Sequence, residues 1–321
     1  MTGSLSDWDR VERYLGRDAL AQLATKTVAI IGLGSGGGFV AQSLAMSGVG
    51  RFVLIDDDIL EPSNVVRHVA DVRYVGQPKV QAVADLIRQR NSNAQIEAIV
   101  GRLADYKDKL NGVDLVIAGV DGERIKYEIN AAARERGLTA IYAGVYERGE
   151  GGDVVVIRPA ADSPCYACWA EQLRSNVAEA LPGELGDTNL DYGMIGLDGT
   201  LAAEPGLWLH VVRIAAAHAD RALNELLIGQ PIHRTYPANT VILANVALEI
   251  FDGVLTPPYS AQWIEVPRNP NCLVCGTSQT APQSSDLSLS DLAGDLLTET
   301  TDEADELDRL DTQEHSGRDK P

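Results

Sequence analysis

Thr27-Val-Ala-Ile-Ile-Gly-Leu-Gly-Ser-Gly-Gly-Gly38, followed by Arg51-Phe-Val-Leu-Ile-Asp-Asp-Asp58, decides the fold of this chain. Thr27 to Ile31 is a short β-branched run of the kind that fills a strand buried on both faces. Gly32 to Gly38 then turns the chain, and Phe39 to Ser47 reads as a helix. A second apolar strand, Arg51 to Ile55, ends in three aspartates. Strand, glycine turn, helix, strand and acid is the first unit of a dinucleotide-binding sheet. Within it Gly32, Gly34 and Gly37 satisfy G-x-G-x-x-G, with Ser35 and Gly36 between them. Glycine lets the backbone turn tightly and approach a phosphate while helix amides point at the anion. A glycine turn without a ligand is the plainer reading, and the motif does not choose between NAD, FAD and ATP. Asp56, about twenty residues beyond the loop, is placed to accept from ribose hydroxyls, with Asp58 in support. Alternatively, the three aspartates cap a loop or helix.

Outward from this unit, alternating patterns continue. Asp7 to Lys26 has helical spacing ahead of it. Downstream, Val80 to Arg90 is helical, Gln95 to Ile99 and Asp114 to Ala118 are strands, and Arg124 to Gly137 is a helix with a glycine stop. Thr139 to Ala143 and Asp153 to Ile157 read as further strands. The fold class is α/β: a Rossmann-like, doubly wound, mostly parallel sheet with helices on both faces, plus a C-terminal zinc-stapled segment. Asn176 to Gly199, rich in Gly, Asp, Asn and Pro, reads as a loop that carries substrate choice. Leu207 to Leu227 is a long apolar helix, Val241 to Phe251 is expected to be another, and Gln262 to Val266 suits a late strand. Residues 1–276 form the main domain, with a nucleotide-binding half at about 27–160 and a zinc and substrate half at about 161–276. Residues 277–321 read as an acidic disordered tail.

The chain has 321 residues and a net charge of −19. From Asp286 onward twelve acidic residues face three basic ones. Such a field repels nucleic acid and anionic membranes, so neither is expected as a partner. No run of about eighteen apolar residues is present, and no basic-then-apolar leader opens the chain, so the expected compartment is the cytoplasm. Four cysteines stand in two matched pairs, Cys165-Tyr-Ala-Cys168 and Cys272-Leu-Val-Cys275. Four thiolates suit tetrahedral Zn²⁺, and the two-residue spacing lets one turn present both sulfurs of a pair. Redox-active or simply buried cysteines are the alternatives.

Asn64 and Arg67 lie in Glu61-Pro-Ser-Asn-Val-Val-Arg-His68, Lys79 closes Gly76-Gln-Pro-Lys79, and Asp121 follows the strand at Asp114 to Ala118. Each charge alone reads as solvated surface. Together they are what attack at an α-phosphate needs: cations over phosphates and a carboxylate for Mg²⁺. Hydride transfer needs neither.

On these residues, and on Arg268-Asn-Pro270 leading into the last cysteine pair, the chain from about Arg10 to Gly276 resembles the ThiF/MoeB/HesA type of adenylyltransferase. These are bacterial relatives of ubiquitin-activating enzymes. The resemblance implies ATP- and Mg²⁺-dependent adenylation of the C-terminal carboxylate of a ubiquitin-like protein. The product passes to a conjugating enzyme or a sulfur-transfer partner, or forms an amide. It implies that Asp56 binds ribose, that Asn64, Arg67 and Lys79 hold phosphates, that Asp121 coordinates Mg²⁺, and that the zinc is structural. Arg124 and Asn130 fall on family positions as supporting or helix-packing residues. His68 stands where the family has glutamine. The family also implies a homodimer in which an N-terminal arginine crosses to the other protomer, and Arg13, rather than Arg10 or Arg17, fits best. With all four cysteines assigned to zinc, no thiol remains for a thioester, and Thr200 is the one candidate acyl acceptor near the family's cysteine position. Direct passage of the adenylate to a partner is the favoured alternative. His210 and His218 are expected to pack. Competing classes are an NAD(P)-dependent oxidoreductase, which leaves Arg67, Lys79 and Asp121 unexplained, and a non-catalytic nucleotide-binding scaffold of a heterodimeric activating enzyme.

Overall fold

The computed structural model describes residues 8–179, 206–251 and 253–277. Contacts divide the chain at Cys275 into a unit Met1–Cys275 and a unit Gly276–Pro321, and the second lies almost wholly outside the described residues. The acidic tail and residues 180–199 of the expected substrate loop therefore lie outside the description, as does Thr200.

Eight strands form one sheet: β1 (Thr27–Ile31), β2 (Arg51–Asp56), β3 (Gln95–Val100), β4 (Leu115–Ala118), β5 (Ala140–Val145), β6 (Gly151–Ile157), β7 (Thr240–Ala244) and β10 (Ala261–Ile264). Their order is β10-β7-β6-β5-β4-β1-β2-β3. From β3 to β5 every pairing is parallel, and β6, β7 and β10 then add antiparallel strands. Strands β8 (Leu248–Phe251) and β9 (Val254–Thr256) pair separately as a hairpin.

Alternation along β1 explains the double winding. Val28 and Ile30 join one core with helices α2 (Arg17–Thr25), α3 (Ser35–Met46), α4 (Lys79–Arg90) and α7 (Trp208–Leu226). Ala29 and Ile31 point the other way, into a core with α5 (Glu123–Glu135) and α6 (Tyr166–Glu179). All four are at most 3% exposed, so the strand is apolar on both faces because both are covered. Truncating Ile30 to alanine in such a setting costs about 2–5 kcal/mol.

Three expectations change. The helix over Asp7 to Lys26 is two helices, α1 (Asp9–Leu15) and α2, because Gly16 between them sits at φ 88°. The helix expected over Val241 to Phe251 is instead strands β7 and β8. An apolar run of that length fits either period, and pairing with β6 and β10 decides it. The stretch expected to be loop from Asn176 is helical up to Glu179, where α6 ends, and its remainder lies outside the described residues.

Candidate active site

Strands β2 and β4 leave β1 on opposite sides, so the chain's direction of winding reverses there and opens a crevice at the strands' C-terminal ends. A cleft of about 1440 Å³ occupies it. Gly32, Gly34, Ser35, Gly36, Gly37, Asp56, Asp58, Arg67, Lys79 and Asp121 all line that cleft.

The glycines divide into two kinds. Gly32 has φ 85°, and a Cβ on Gly37 would lie 2.0 Å from the Gly32 carbonyl oxygen. These two close the start of α3 onto the end of β1. By contrast, a Cβ on Gly34 or Gly36 would meet no protein atom within 4 Å. No protein contact requires glycine at these two positions, and the bare backbone there is what a closely approaching phosphate needs. Helix α3 begins here with Gly34 as its N-cap and without a side-chain cap, so its first-turn amides face the cleft.

Leu33 of this loop is clamped from both ends. Its N–H donates to Asp56 Oδ2 at 2.5 Å, and Asp56 Oδ1 accepts from the Asp58 N–H at 2.8 Å. Burial raises the Asp56 carboxyl above its ordinary value, against those two hydrogen bonds. His68 Nδ1 accepts from the Ala70 N–H at 3.0 Å, so Nε2 carries the proton and donates to the Leu33 carbonyl at 2.7 Å. Burial lowers the His68 pKa and keeps the ring neutral, consistent with that tautomer.

Across the cleft, Lys79 opens α4 and places Nζ 2.6 Å from Asp58 Oδ2. Half-buried Arg67 ends a 3₁₀ turn, Pro62–Arg67, and exposed Asp121 follows β4. Among the described residues neither Arg67 nor Asp121 has an ion-pair partner. Asp57 is held by Arg102 at 2.7 Å, which lowers its pKa.

Other predicted residues lie around the cleft or away from it. Asn64 caps its own turn, its Oδ1 accepting from the Glu61 N–H at 3.0 Å, and it does not line the cleft. Arg13 pairs with Asp9, and Arg17 with Glu12 at 3.1 Å; neither these nor Arg10 lines this cleft. Arg124 is on the cleft wall, 3.6 Å from Glu128. Asn130 Oδ1 accepts from the Tyr166 N–H at 3.0 Å and packs α5 against α6. His218 is buried, hydrogen-bonded to the Ile141 carbonyl at 3.2 Å and lowered by burial to about 4, a neutral packing residue. The buried His210 Nδ1 has no hydrogen-bond partner among the described residues.

The inner wall contains residues that sequence reasoning missed. Lys126, 6% exposed, lies 3.3 Å from Glu123 Oε1, and Tyr166 Oη donates to Glu123 Oε2 at 2.9 Å. Asp153 is buried, and burial pushes its pKa up to about 7, with Lys126 and Tyr146 pulling it back. The i, i+3 spacing of Glu123 and Lys126 was the available signal; nothing local marks Asp153.

Cys165, Cys168, Cys272 and Cys275 converge in a buried cluster whose sulfur atoms all lie within 4.8 Å of one another. Separations of 3.8 Å (Cys165–Cys168), 3.7 Å (Cys165–Cys272) and 3.3 Å (Cys168–Cys275) lie at or below the roughly 3.8 Å edge of a tetrahedron with Zn–S bonds of about 2.3 Å. The Asn269 and Val274 N–H groups point at Cys168 and Cys272 sulfur, each at 3.4 Å. Arg268 donates to the Cys275 carbonyl and to that of Ala161, binding the last cysteine pair to the loop before the first. The donor set fits a closed Zn²⁺ site. No helix among the described residues is long and apolar enough to cross a membrane.

Comparison with known proteins agrees with this fold. The chain is 29% identical over 287 residues to the sulfur carrier protein ThiS adenylyltransferase of Escherichia coli, covering 86% of this chain and 98% of that protein. It is 29% identical over 168 residues to the SAMP-activating enzyme E1 of Haloferax volcanii, covering 50% of this chain and 61% of that protein. Thus it spans less than two thirds of the latter. The structure of the microcin C7 biosynthetic enzyme MccB with N-formylated MccA superimposes with a TM-score of 0.61. It covers 86% of this chain and 77% of that one at 19% identity, a likeness of fold. The model of the ThiF family matches residues 9–250, most of the length, and the chain belongs to that family.

Proposed function

We propose that this protein is an ATP- and Mg²⁺-dependent adenylyltransferase acting on the C-terminal carboxylate of a ubiquitin-like or sulfur carrier protein. The observation that carries the reading is the cleft at the switch point, where Arg67 and Asp121, without ion-pair partners among the described residues, and the cation of Lys79 line the same cleft as the open backbone of Gly34 and Gly36. Family membership and the names of the E. coli and Haloferax relatives support the same chemistry.

In this reading the α3 amides, Arg67 and Lys79 hold the phosphates, Asp56 takes the ribose, and Asp121 holds Mg²⁺, which supplies charge neutralisation. Asn64 acts through the turn it caps, by setting the position of Arg67. A substrate carboxylate oxygen bonds to the α-phosphorus, the bond from that phosphorus to the bridging oxygen breaks, and pyrophosphate leaves. The carboxylate is ionised at neutral pH, so the step needs no general base. The protein's contribution is to align two anions and offset their repulsion. Cys165, Cys168, Cys272 and Cys275 would hold a structural zinc. The main domain over 1–276 acts as a homodimer, with Arg13 serving the partner's cleft, and the product passes to a conjugating enzyme or a sulfur-transfer partner.

ATP–pyrophosphate exchange tests this. With the cognate carrier protein present, Mg²⁺-dependent exchange is expected, falling about a hundredfold or more in Asp121→Ala and Lys79→Ala. Tight ATP binding without exchange for any carboxylate-ended partner would turn the reading to a nucleotide-binding scaffold.

A further inference from the structure

A second cavity, of about 290 Å³, opens at the opposite end of the sheet and shares no lining residue with the cleft. It is bounded by Ala140 and Ile157, register partners at the N-terminal end of β5, whereas the cleft begins at Ala143 of the same strand. On a chain of net charge −19, its lining includes three guanidinium groups, Arg134, Arg158 and Arg268, and, among the described residues, no carboxylate.

Two of its polar atoms lack partners. Tyr142 is 1% exposed and its hydroxyl has no hydrogen bond among the described residues. The buried Arg268 Nε also has none, although both terminal nitrogens of that guanidinium donate to the carbonyls of Ala161 and Cys275. A buried donor left unmatched is destabilising, so these two, on residues that line one cavity, would gain from an acceptor bound in it.

The charges specify which acceptor. Arg158 makes a two-point pair with Glu225, at 2.9 and 2.6 Å, and that pair is neutral. Among the described residues Arg134 has no ion pair and Arg268 is bonded only to carbonyls, so two positive charges stand without a described counter-charge. The opposition of the α5 end to an anion beside it is reduced, because two of its last carbonyls are already occupied: Leu138 N–H bonds to Ala133 and Gly137 N–H to Arg134. The remaining lining side chain that matters, Ser163, adds a hydroxyl.

We infer that the cavity between β5, β6 and the Arg268 loop is a second anion site, built for a phosphate dianion, free or on a small phosphomonoester. Arg134 and Arg268 match its two charges, and the Tyr142 hydroxyl donates to one of its oxygens. The site is independent of the proposed adenylation and of the nucleotide cleft.

Calorimetric titration of the full chain with inorganic phosphate at pH 8, where the dianion predominates, tests it. Arg67→Ala, which removes one of the phosphate contacts proposed for the cleft, is expected to leave affinity at the second cavity unchanged. Arg134→Ala, on an exposed helix end, is expected to weaken binding about tenfold or more, and Tyr142→Phe several-fold without loss of thermal stability. Glycerol 3-phosphate binding more tightly than phosphate through the same residues would support the site and identify a monoester as its ligand. Absence of phosphate binding, or a loss in Arg67→Ala with none in Arg134→Ala, would overturn the inference.

Discussion

Substituting alanine at two adjacent glycines, Gly36 and Gly37, separates packing from ligand contact in the same loop. At Gly37 the new methyl carbon would lie 2.0 Å from the Gly32 carbonyl oxygen and 3.2 Å from Gly119 Cα. Both neighbours are backbone, so no rotamer change relieves the overlap, and the start of α3 must move by about 1 Å to restore ordinary contact. Helix α3 is also packed against α7, which resists that movement. A loss of about 3 kcal/mol is expected, or roughly 6–12 °C in melting temperature for a domain of this size. At Gly36 the methyl carbon meets nothing within 4 Å, and the residue is helical without a positive φ. Gly36→Ala should therefore leave stability unchanged or raise it by about 0.5–1 kcal/mol. The same methyl occupies the space that a phosphate would enter, so Mg²⁺–ATP affinity should fall about tenfold or more. Urea melts and calorimetric ATP titration of the two variants measure both effects. Unimpaired ATP binding by a folded Gly36→Ala protein would refute the phosphate reading of this loop. A fully stable Gly37→Ala protein would refute the packing analysis.

Two further outcomes concern buried groups. Asp153 has a folded pKa of about 7 against an ordinary 3.8, so between those values the folded state holds a proton that the unfolded chain has released. This group's contribution to stability is therefore full below pH 4 and declines as pH rises through 7, by at most about 4 kcal/mol. Asp153→Asn should flatten that dependence in denaturant melts at pH 5 and 8 and be the more stable protein at pH 8; an unchanged slope would show that another group is responsible. Purified protein should release one zinc per chain to a chromogenic chelator after thiol modification, and Cys272→Ser should lower the zinc content and melting temperature together. A metal-free chain with unaltered melting would remove zinc from the account.

Much of the parallel half of the sheet was legible because its signals are local. Thr27 to Ile31 and Leu115 to Ala118 are apolar runs too short for helices, and glycines or aspartates follow them. The antiparallel half was less so. Val241 to Phe251 has an apolar run that suits either period, and only the edges of β6 and β10 resolve it as strand. For the site, Arg67, Lys79 and Asp121 were identified through their spacing and family likeness, and the fold brings all three to one cleft. Asn64, placed on the phosphates by the same reasoning, caps its own turn, because a side-chain amide three residues after Glu61 has a backbone N–H within reach.

By itself, then, the sequence determined the doubly wound unit, the glycine loop and the pairing of cysteines by spacing. Each depends on residues close in the chain, where periodicity and backbone chemistry act directly. Tertiary structure alone decided the clamp on Leu33 from Asp56 and His68, the burial that lifts Asp153, and the meeting of Arg134, Arg158 and Arg268 around one cavity. Those depend on partners brought together from distant positions, and on loss of water at the point of contact, neither of which leaves a local pattern.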